Sequence, residues 1–428
     1  MTERILPFAR KGFDSGRRAI REIGTSMLEE PIVNDRSAIV LPEEMRNERV
    51  DWALLLATLF LFGLGMLMVL SSTSFVAQTA HKDPFGRFAN QGIRGLIGLV
   101  FMIGAMKLDY RRLSGWAPVI AVGSAMLLLL VFLPGVGETS KGSQRWIGLG
   151  PVRLQPIELA RLGLIIYLAR LLSKPQARIT RFTTGPLPAY LAAGVFMALI
   201  IIQPSLGSTL TLALTTLAMC LVAGMKRKHF LLTCLAGFAG LVLVLILKHD
   251  SYQVQRLLGF IKIWTNDPDR LGVTYQVRQS LIALGSGGFS GEGIGNSAQK
   301  RFFLPDAHTD FIYSIIGEEL GFIGTIGVLA LFVILIWRGL RIAGQAEDRF
   351  GYLLAAGLTI NFMIYATINM GVTMALLPVT GLPLPFVSYG GSALIANLAA
   401  VGVLLSISRR CGTSFALIPA RRHRKGLA

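Results

Sequence analysis

The chain has 428 residues, of which 53% are hydrophobic and 15% are charged. Soluble domains carry about 25% charged residues. The composition therefore excludes an ordinary soluble enzyme, a disordered chain and a disulfide scaffold, and it indicates a protein that lies mostly in lipid. The net charge is +18, but the lysines and arginines form short groups between long apolar runs. That arrangement is typical of membrane topology signals, so we predict no nucleic-acid partner.

The first 50 residues are mixed in charge, and we expect a poorly ordered cytoplasmic tail with a basic surface helix near Arg10–Arg21. This segment contains no apolar core of about 7–15 residues, so no cleavable signal peptide is predicted and the first span must direct insertion. The three cysteines form no CxxC pair, and the five histidines form no HExxH motif. These patterns predict neither a disulfide framework nor a zinc site.

Ten segments are apolar enough to be interpreted as membrane-spanning helices, since a crossing takes about 20 mostly apolar residues. They are residues 52–73, 88–106, 115–133, 156–172, 187–203, 206–223, 230–247, 308–337, 350–374 and 384–407. Connections rich in lysine and arginine alternate with poorer ones, and the positive-inside rule assigns the rich set to the cytoplasm. Both termini are then cytoplasmic, which requires an even number of spans.

The predicted fold is therefore an all-α, polytopic inner-membrane protein with ten transmembrane helices. The N-terminal tail covers residues 1–50, the membrane domain residues 51–408 and a basic cytoplasmic tail residues 409–428. The long connection between spans 7 and 8, residues 248–307, falls on the outer face although it carries seven lysines and arginines. Long loops translocate regardless of charge. Within the loop, Tyr252–Trp264 mixes apolar and basic residues at helical spacing, which predicts a helix lying in the interface.

The first candidate functional cluster, Gly142–Ile147, is expected to open the fourth span. Arg145 carries a fixed charge and a planar donor fork that suits phosphate, and Trp146 stands beside it. Both residue types also mark membrane interfaces. The pattern alone therefore leaves phosphate binding and interface anchoring open.

The second candidate cluster lies in the long outer loop. Gln279 and Ser280 are followed by six glycines within residues 285–295, a density that serves close backbone approach or tight turns. Lys300 and Arg301 then place two cations beside the loop. They are either substrate contacts or ordinary solvated charges.

The third and sharpest cluster is Leu304–Ile312, where the eighth predicted span begins. Thr309 suits a helix cap, and Asp310 suits a first-turn position that complements the helix dipole; this is the structural alternative to a functional role. Glu318 and Glu319 continue the acidity along the same predicted span, and three carboxylates exceed what capping requires. We expect them either to line a polar cavity or to pair with the cations named above.

Polar residues on other predicted spans are weaker candidates, because single amides in membrane helices more often join helices than bind substrate. These residues are Glu158, Gln203, Asn361, Asn369 and Asn397. The connection Met374–Pro385 is nearly free of charge and rich in proline, which predicts a rigid lid or a lipid-facing wall.

Four ordered groups of residues carry a resemblance to a known family. They are Arg145–Trp146–Ile147 with Gln155–Pro156 and Glu158; Gln203–Pro204 with Leu206–Gly207; Gln279–Ser280 through the glycine-rich stretch to Leu304–Pro305, His308–Thr309–Asp310–Phe311 and Glu318–Glu319; and Gly381–Phe386 with Ser388–Ser392. With these motifs the chain resembles the SEDS family (shape, elongation, division and sporulation), whose members polymerise lipid-linked peptidoglycan precursor. Asn296–Lys300 is similar to the form in the division branch, FtsW, rather than in the elongation branch, RodA.

Three positions depart from the family pattern. Ser205 stands where aspartate is usual, Arg161 where lysine is common and Ala375 where glycine is common. The first departure puts a carboxylate role at that turn in doubt, and none of them touches His308–Phe311.

The resemblance implies a peptidoglycan glycosyltransferase that polymerises lipid II, a disaccharide-pentapeptide on undecaprenyl pyrophosphate, at the division septum. Asp310 would be the catalytic base. Substrate contacts would come from Arg145, Trp146, Lys300, Arg301, His308, Thr309, Gln279, Ser280 and Glu318. No organic cofactor is implied, and a divalent cation, Mg²⁺ or Mn²⁺, is left open. The implied partners are a class B penicillin-binding transpeptidase, docked against the eighth and ninth spans, and other membrane proteins of the division machinery.

Other functions fit part of the pattern. A flippase for lipid II would need polar access from both faces, whereas the polar residues crowd the outer half, and no inverted repeat is found. A structural scaffold would leave the intramembrane acids unexplained. A polymerase of the elongation branch is the third alternative.

Overall fold

A computed structural model of the chain describes residues 50–79, 85–140, 143–149, 152–175, 179–247, 260, 273–301 and 303–411. All of them belong to the unit of residues 47–428. The predicted N-terminal tail with its surface helix lies outside the described residues, as do nearly all of the predicted interface helix at Tyr252–Trp264 and the C-terminal tail beyond residue 411.

Within the described residues the fold consists mainly of helices. In chain order they are α1 (Trp52–Thr79), α2 (Gly86–Lys107), α3 (Tyr110–Leu130), α4 (Pro156–Leu172), α5 (Pro186–Ile202), α6 (Leu206–Val222), α7 (Arg227–Leu247), α8 (Val273–Ser286), α9 (Ile312–Gln345), α10 (Arg349–Thr373) and α11 (Gly391–Arg410). Each of the ten predicted spans overlaps one of these helices, although ten crossings of a membrane stay a prediction. The additional helix, α8, lies inside the long connection.

Among the residues that the structure describes, six helices are long and apolar enough to cross a membrane: α1, α2, α3, α9, α10 and α11. The helices α5 and α6 are apolar but shorter. A helix satisfies its backbone hydrogen bonds internally, which is what a chain surrounded by lipid requires. The chain is thus a helical, multi-pass membrane protein.

The helices differ in how far the rest of the chain covers them. In α10 and α11, 83% of the most apolar stretch is buried, whereas in α2 and α3 the share is 22%. The last two helices therefore form the centre of the bundle. The outer helices turn apolar side chains such as Val100 and Val122 outward, where lipid rather than protein would cover them.

The prediction of an all-α fold is incomplete in one segment. Between α3 and α4 lies a three-stranded antiparallel sheet of β1 (Gly137–Ser140), β2 (Ser143–Leu149) and β3 (Val152–Leu154). Gly137 pairs with Ile147, which in turn pairs with Leu154. The strands are too short for an alternation of apolar and polar residues to be recognised beside the long apolar runs of the helices. Arg145 and Trp146 consequently lie on β2 and do not open the fourth span.

Two predicted helix starts also differ from the structure. The prediction that Thr309 caps a helix with Asp310 in its first turn is wrong, because α9 begins at Ile312 with Phe311 at the N-cap position. The last helix begins at Gly391 and not at residue 384. Both motifs therefore stand in turns before their helices. Turns leave side chains free to point away from a helix axis, which the apolar pattern of a span does not reveal.

Candidate functional site

A cavity of about 1620 Å³ lies at one end of the helical bundle, where the turns before α9 and α11 meet the sheet and the α5–α6 connection. Its polar wall includes Arg87, Arg94, Arg145, His308, Thr309 and Asp310. Its apolar wall runs along α5, α6 and α7 and includes Met197, Leu210, Leu214 and Phe238. The cavity thus combines a polar wall, which carries four arginines and four carboxylates, with an apolar extension, which suits a ligand with a polar, charged head and a hydrocarbon tail.

The backbone of residues 308–310 is held from two sides. Asn369 on α10 donates its side-chain amide to the Asp310 carbonyl at 2.9 Å and to the Leu382 carbonyl at 2.7 Å. Ser388 donates to the Thr309 carbonyl at 2.5 Å, and the Tyr389 amide donates to the His308 carbonyl at 2.9 Å. Since the main-chain oxygens are engaged behind the motif, the three side chains can face the cavity.

The aromatic ring of Tyr389 lies 5.7 Å from the imidazole of His308, centroid to centroid. The preceding turn is fixed by Asp306, whose carbonyl accepts from the amides of Thr309 and Asp310 at 3.0 and 3.1 Å. Asp306 itself has a φ of 56° and also lines the cavity. The motif is therefore preorganised before any substrate arrives, as a catalytic group requires.

Arg145 faces the cavity from β2 and is anchored to the turn between α5 and α6. Its Nε donates to the Gln203 carbonyl at 2.9 Å, and an Nη donates to the Pro204 carbonyl. Gln203 in turn donates to the Leu128 carbonyl at 3.0 Å. These contacts hold the guanidinium beside the cavity, and Trp146 lines the wall next to it.

Sequence reasoning missed three cations of the cavity wall, Arg87, Arg94 and Arg153, the last of which pairs with Glu138 at 2.7 Å. The side chain of Arg94 lies directly over Gly391, where a Cβ would collide with it. This approach explains the glycine at position 391, the first residue of α11. A signal for Arg94 was present in the sequence, because a cation inside the otherwise apolar segment 88–106 is costly in lipid and so calls for a functional reason.

A buried pair of opposite charges borders the cavity. Glu158 lines the wall, and its carboxylate lies 2.8 Å from the guanidinium of Arg161. Arg161 stacks over the ring of Tyr365 at 4.0 Å and donates to Asn397 at 3.0 Å. All of these groups are buried. The neutralised pair lets a carboxylate face the cavity without an isolated charge in lipid.

Several predicted substrate contacts lie away from the cavity wall. Ser280 is buried and bonds to Ser314 at 2.6 Å and to the Thr373 carbonyl at 2.7 Å. Gln279 is partly buried on α8, and Arg301 is exposed. Lys300 and Glu318 are both buried in the packing of the outer loop. The structure thus brings together Arg145, Trp146, His308, Thr309 and Asp310, and it places the other five predicted residues outside this group.

Among the residues that the structure describes, no group of three or more His, Cys, Asp or Glu side chains could hold a metal ion. Asp306 and Asp310 supply two carboxylates in the cavity wall. Mg²⁺ often uses one or two protein carboxylates together with substrate phosphates. A divalent cation would therefore need the phosphates of a substrate in addition to these two carboxylates.

The chain matches known proteins over most of its length. The family model of FtsW/RodA/SpoVE cell cycle proteins matches residues 52–412. A probable peptidoglycan glycosyltransferase FtsW of Geobacter sp. (strain M18) is 41% identical over 365 residues, which is 85% of this chain and 98% of the relative. Stage V sporulation protein E of Bacillus subtilis (strain 168) is 42% identical over 364 residues, 84% of this chain and 97% of the relative.

Solved structures give the same result. A chain of a peptidoglycan synthase complex, described for the coordination of polymerization and crosslinking, aligns with a TM-score of 0.70 at 29% identity and covers 85% of this chain and 99% of that one. The rod shape determining protein RodA of Thermus thermophilus aligns with a TM-score of 0.61 at 29% identity, covering 84% and 97%. The chain belongs to the FtsW/RodA/SpoVE family, which is the SEDS family that its sequence motifs resemble, and within this family it belongs to the FtsW branch.

Proposed function

We propose that this protein is a peptidoglycan glycosyltransferase that polymerises lipid II into glycan strands at the division septum. The observation that carries the proposal is the backbone-clamped Asp310, whose side chain faces a cavity with an arginine-containing polar wall and an apolar extension. Relatives at about 40% identity bear the name of this activity. The cavity matches the substrate class, which joins a sugar-peptide head to a pyrophosphate and a polyprenyl tail.

The proposed reaction is an inverting transfer. The 4-hydroxyl of the acceptor sugar attacks the anomeric carbon of the growing chain, a new glycosidic C–O bond forms, and the bond to the pyrophosphate oxygen breaks. The hydroxyl proton passes to the carboxylate of Asp310, and the electron pair leaves with the pyrophosphate. A positioned base contributes about 10²–10⁴-fold. Because pyrophosphate leaves without protonation, a second carboxylic acid of the glycosidase kind is not required.

The departing pyrophosphate gains charge, and fixed cations aimed at it would stabilise the transition state. Arg145 is placed for this role on the sheet side of the cavity, with Arg87 and Arg94 on the α2 side. His308 and Thr309 would contact the sugar beside Asp310, and Trp146 would pack against the head group. Contacts from Lys300, Arg301, Gln279, Ser280 and Glu318 stay predictions, and their positions favour support of the loop over direct contact. A divalent cation would enter with the pyrophosphate.

The membrane arrangement follows from the same proposal. Ten crossings with both termini in the cytoplasm would place the cavity on the outer side of the inner membrane, where lipid II presents its head group. The 51–408 region would then be one membrane domain between two cytoplasmic tails. The apolar wall along α5, α6 and α7 supports entry of the polyprenyl chain from the bilayer.

A class B penicillin-binding transpeptidase is the proposed partner. Support comes from the peptidoglycan synthase complex among the similar structures. Of the two predicted docking spans, α10 is mostly covered by the chain itself, whereas α9 exposes apolar side chains such as Phe322 and Trp337. We therefore assign the docking surface mainly to α9.

The catalytic proposal is tested with purified protein and lipid II. Asp310→Asn should abolish glycan polymerisation while leaving the folded protein intact. Asp306→Asn is the matched control, because Asp306 lies in the same turn and the same cavity wall, and asparagine tolerates its left-handed backbone. We expect the control to retain activity. Polymer formation by Asp310→Asn at the wild-type rate would remove Asp310 from the mechanism.

The flippase alternative is tested in vesicles that contain this protein alone and fluorescent lipid II. Translocation without polymerisation would favour transport. Growth-stage imaging of a fluorescent fusion separates division from elongation, since the division branch should concentrate at midcell.

A further inference from the structure

A buried ion pair joins the long loop to α9, and a hydroxyl on α1 bonds to both of its charged groups. Lys300 Nζ lies 2.7 Å from Glu319 Oε1, and the two side chains are 2% and 0% exposed. Ser71 on α1 donates to both carboxylate oxygens of Glu319, at 2.6 and 2.7 Å, and accepts from Lys300 Nζ at 3.0 Å. We call these three residues the loop latch. Its charges are opposite, adjacent and withdrawn from solvent, so neither is available to a substrate in this arrangement.

The neighbouring Glu318 fastens the same loop to α9. Its carboxylate accepts from the Ser297 hydroxyl and from the amides of Ala298 and Gln299, at 2.8 Å and 3.2 Å for the two amides. The consecutive acids of α9 thus both bind the segment that ends at Lys300. This pairing explains their presence at membrane depth without assigning either to the cavity.

The glycine-rich stretch makes this contact possible. A Cβ at Gly287 or Gly291 would collide with main-chain oxygens of Gly317 or Glu319. The amides of Glu292 and Gly293 donate to the Glu318 and Glu319 carbonyls at 2.9 and 3.0 Å. These carbonyls are free because the helix is interrupted at Gly321, with φ of 65°. Loop and helix start therefore form one packed unit.

The latch lies at one end of the segment that carries Asp310. The Leu304 amide donates to the Gln299 carbonyl at 2.9 Å, which closes a turn just after the latch. The chain then reaches the cavity at Asp306. At the other end, Asn369 holds the Asp310 carbonyl. The segment that carries the carboxylate is thus held at its start by the latch on α1 and α9, and at its end by Asn369 together with Ser388 and Tyr389.

We propose that Lys300, Glu319 and Ser71 are positioning residues for Asp310, acting through the loop and not through contact with the substrate. This inference rests on the proposed function. A buried ion pair contributes little net stability compared with apolar packing, while loss of one partner leaves an uncompensated charge. Its effect here is to set the register between α1, the loop and α9, and small misplacements of a catalytic group can cost about 10²-fold in rate.

The test measures kcat and KM for polymerisation by the full chain, normalised to folded protein. Lys300→Met and Glu319→Gln should each lower kcat about 10²-fold with KM unchanged, and the double variant should lose no more than either single one. Ser71→Ala, which removes only a hydroxyl, should lower kcat about tenfold, the scale of one net hydrogen bond. Ser72→Ala is the matched control, since this neighbouring buried hydroxyl donates to the Val69 carbonyl of its own helix, and it should keep wild-type rates.

Hydrogen exchange provides a readout that does not depend on turnover. The amides of Ala298, Gln299 and Leu304 should exchange faster in Ser71→Ala than in wild type or Ser72→Ala, even where the charge variants fail to fold. A raised KM with unchanged kcat in Lys300→Met would identify a substrate contact and overturn the proposal. Multiplicative losses in the double variant, or unchanged exchange in Ser71→Ala, would overturn it as well. An inactive wild-type protein would refute the proposed function itself, whereas an active wild type with unaffected latch variants would refute only the positioning role.

Discussion

Replacing Asn369 by leucine is the sharpest test of how the cavity is preorganised. The side-chain amide of Asn369 donates to the carbonyls of Asp310 and Leu382 at 2.9 and 2.7 Å. Leucine has a similar volume and no donor, so the substitution removes both hydrogen bonds and leaves two carbonyls without this partner. Asn369 is 1% exposed, and water cannot replace it without rearrangement.

The size of the effect follows from these two bonds. A buried polar group that loses its partner costs about 1–3 kcal/mol. Because the backbone around the two carbonyls can relax, we expect a total loss of about 2–4 kcal/mol in stability, which is the low end of the range that two such penalties span. Release of the Asp310 backbone should lower kcat about 10²-fold, which corresponds to about 2.7 kcal/mol in the activation barrier.

The assay combines thermal unfolding in detergent with polymerisation of lipid II per folded molecule. Thr359→Val is a suitable control, because Thr359 is buried on the same helix and its hydroxyl donates to the Ala355 carbonyl of that helix. It should cost at most about 1 kcal/mol and leave kcat unchanged. Folded Asn369→Leu protein that polymerises at the wild-type rate would contradict the clamp.

Three further predictions concern other parts of the chain. Gly291→Ala should destabilise the protein by at least about 2 kcal/mol, because residue 291 has a φ of 82° and an added Cβ would collide with a main-chain oxygen of α9. Gly285→Ala is the control and should be nearly neutral, since an added Cβ there meets open space. Equal thermal midpoints for the two variants would contradict this account. Burial raises the pKa of the Cys411 thiol to about 11. In a variant that keeps only this cysteine, the rate of maleimide labelling should be low at pH 7 and rise about tenfold per pH unit until the pH approaches 11. Rapid labelling of the folded protein at pH 7 would refute the raised pKa. Arg161 Nη1 and Asn361 Oδ1 make no hydrogen bond among the described residues, and they border a space of about 10 Å³, enough for one water molecule. A high-resolution experimental map should show a water between the two groups. Direct contact between them would disprove this prediction.

Much of the molecule could be predicted from the sequence, because its determinants are local. A run of about 20 apolar residues spans a bilayer wherever it stands in the chain, and each of the ten predicted spans contains a helix. Asp310 was identified by its motif, and the structure places its side chain in a cavity wall. The glycine-rich stretch was expected to serve close backbone approach, and it does so against α9.

Only the tertiary structure decided which charges meet. Lys300 and Arg145 looked alike in the sequence as basic residues near the outer face, yet one is paired with Glu319 in the interior and the other faces the cavity. Ser71 and Glu319 are 248 positions apart, and no periodicity encodes such a contact. Arg94 reached the cavity from a segment that was interpreted as a plain span. Ionic partners are set by distance in space and by the cost of burying a lone charge, and both depend on how the helices pack.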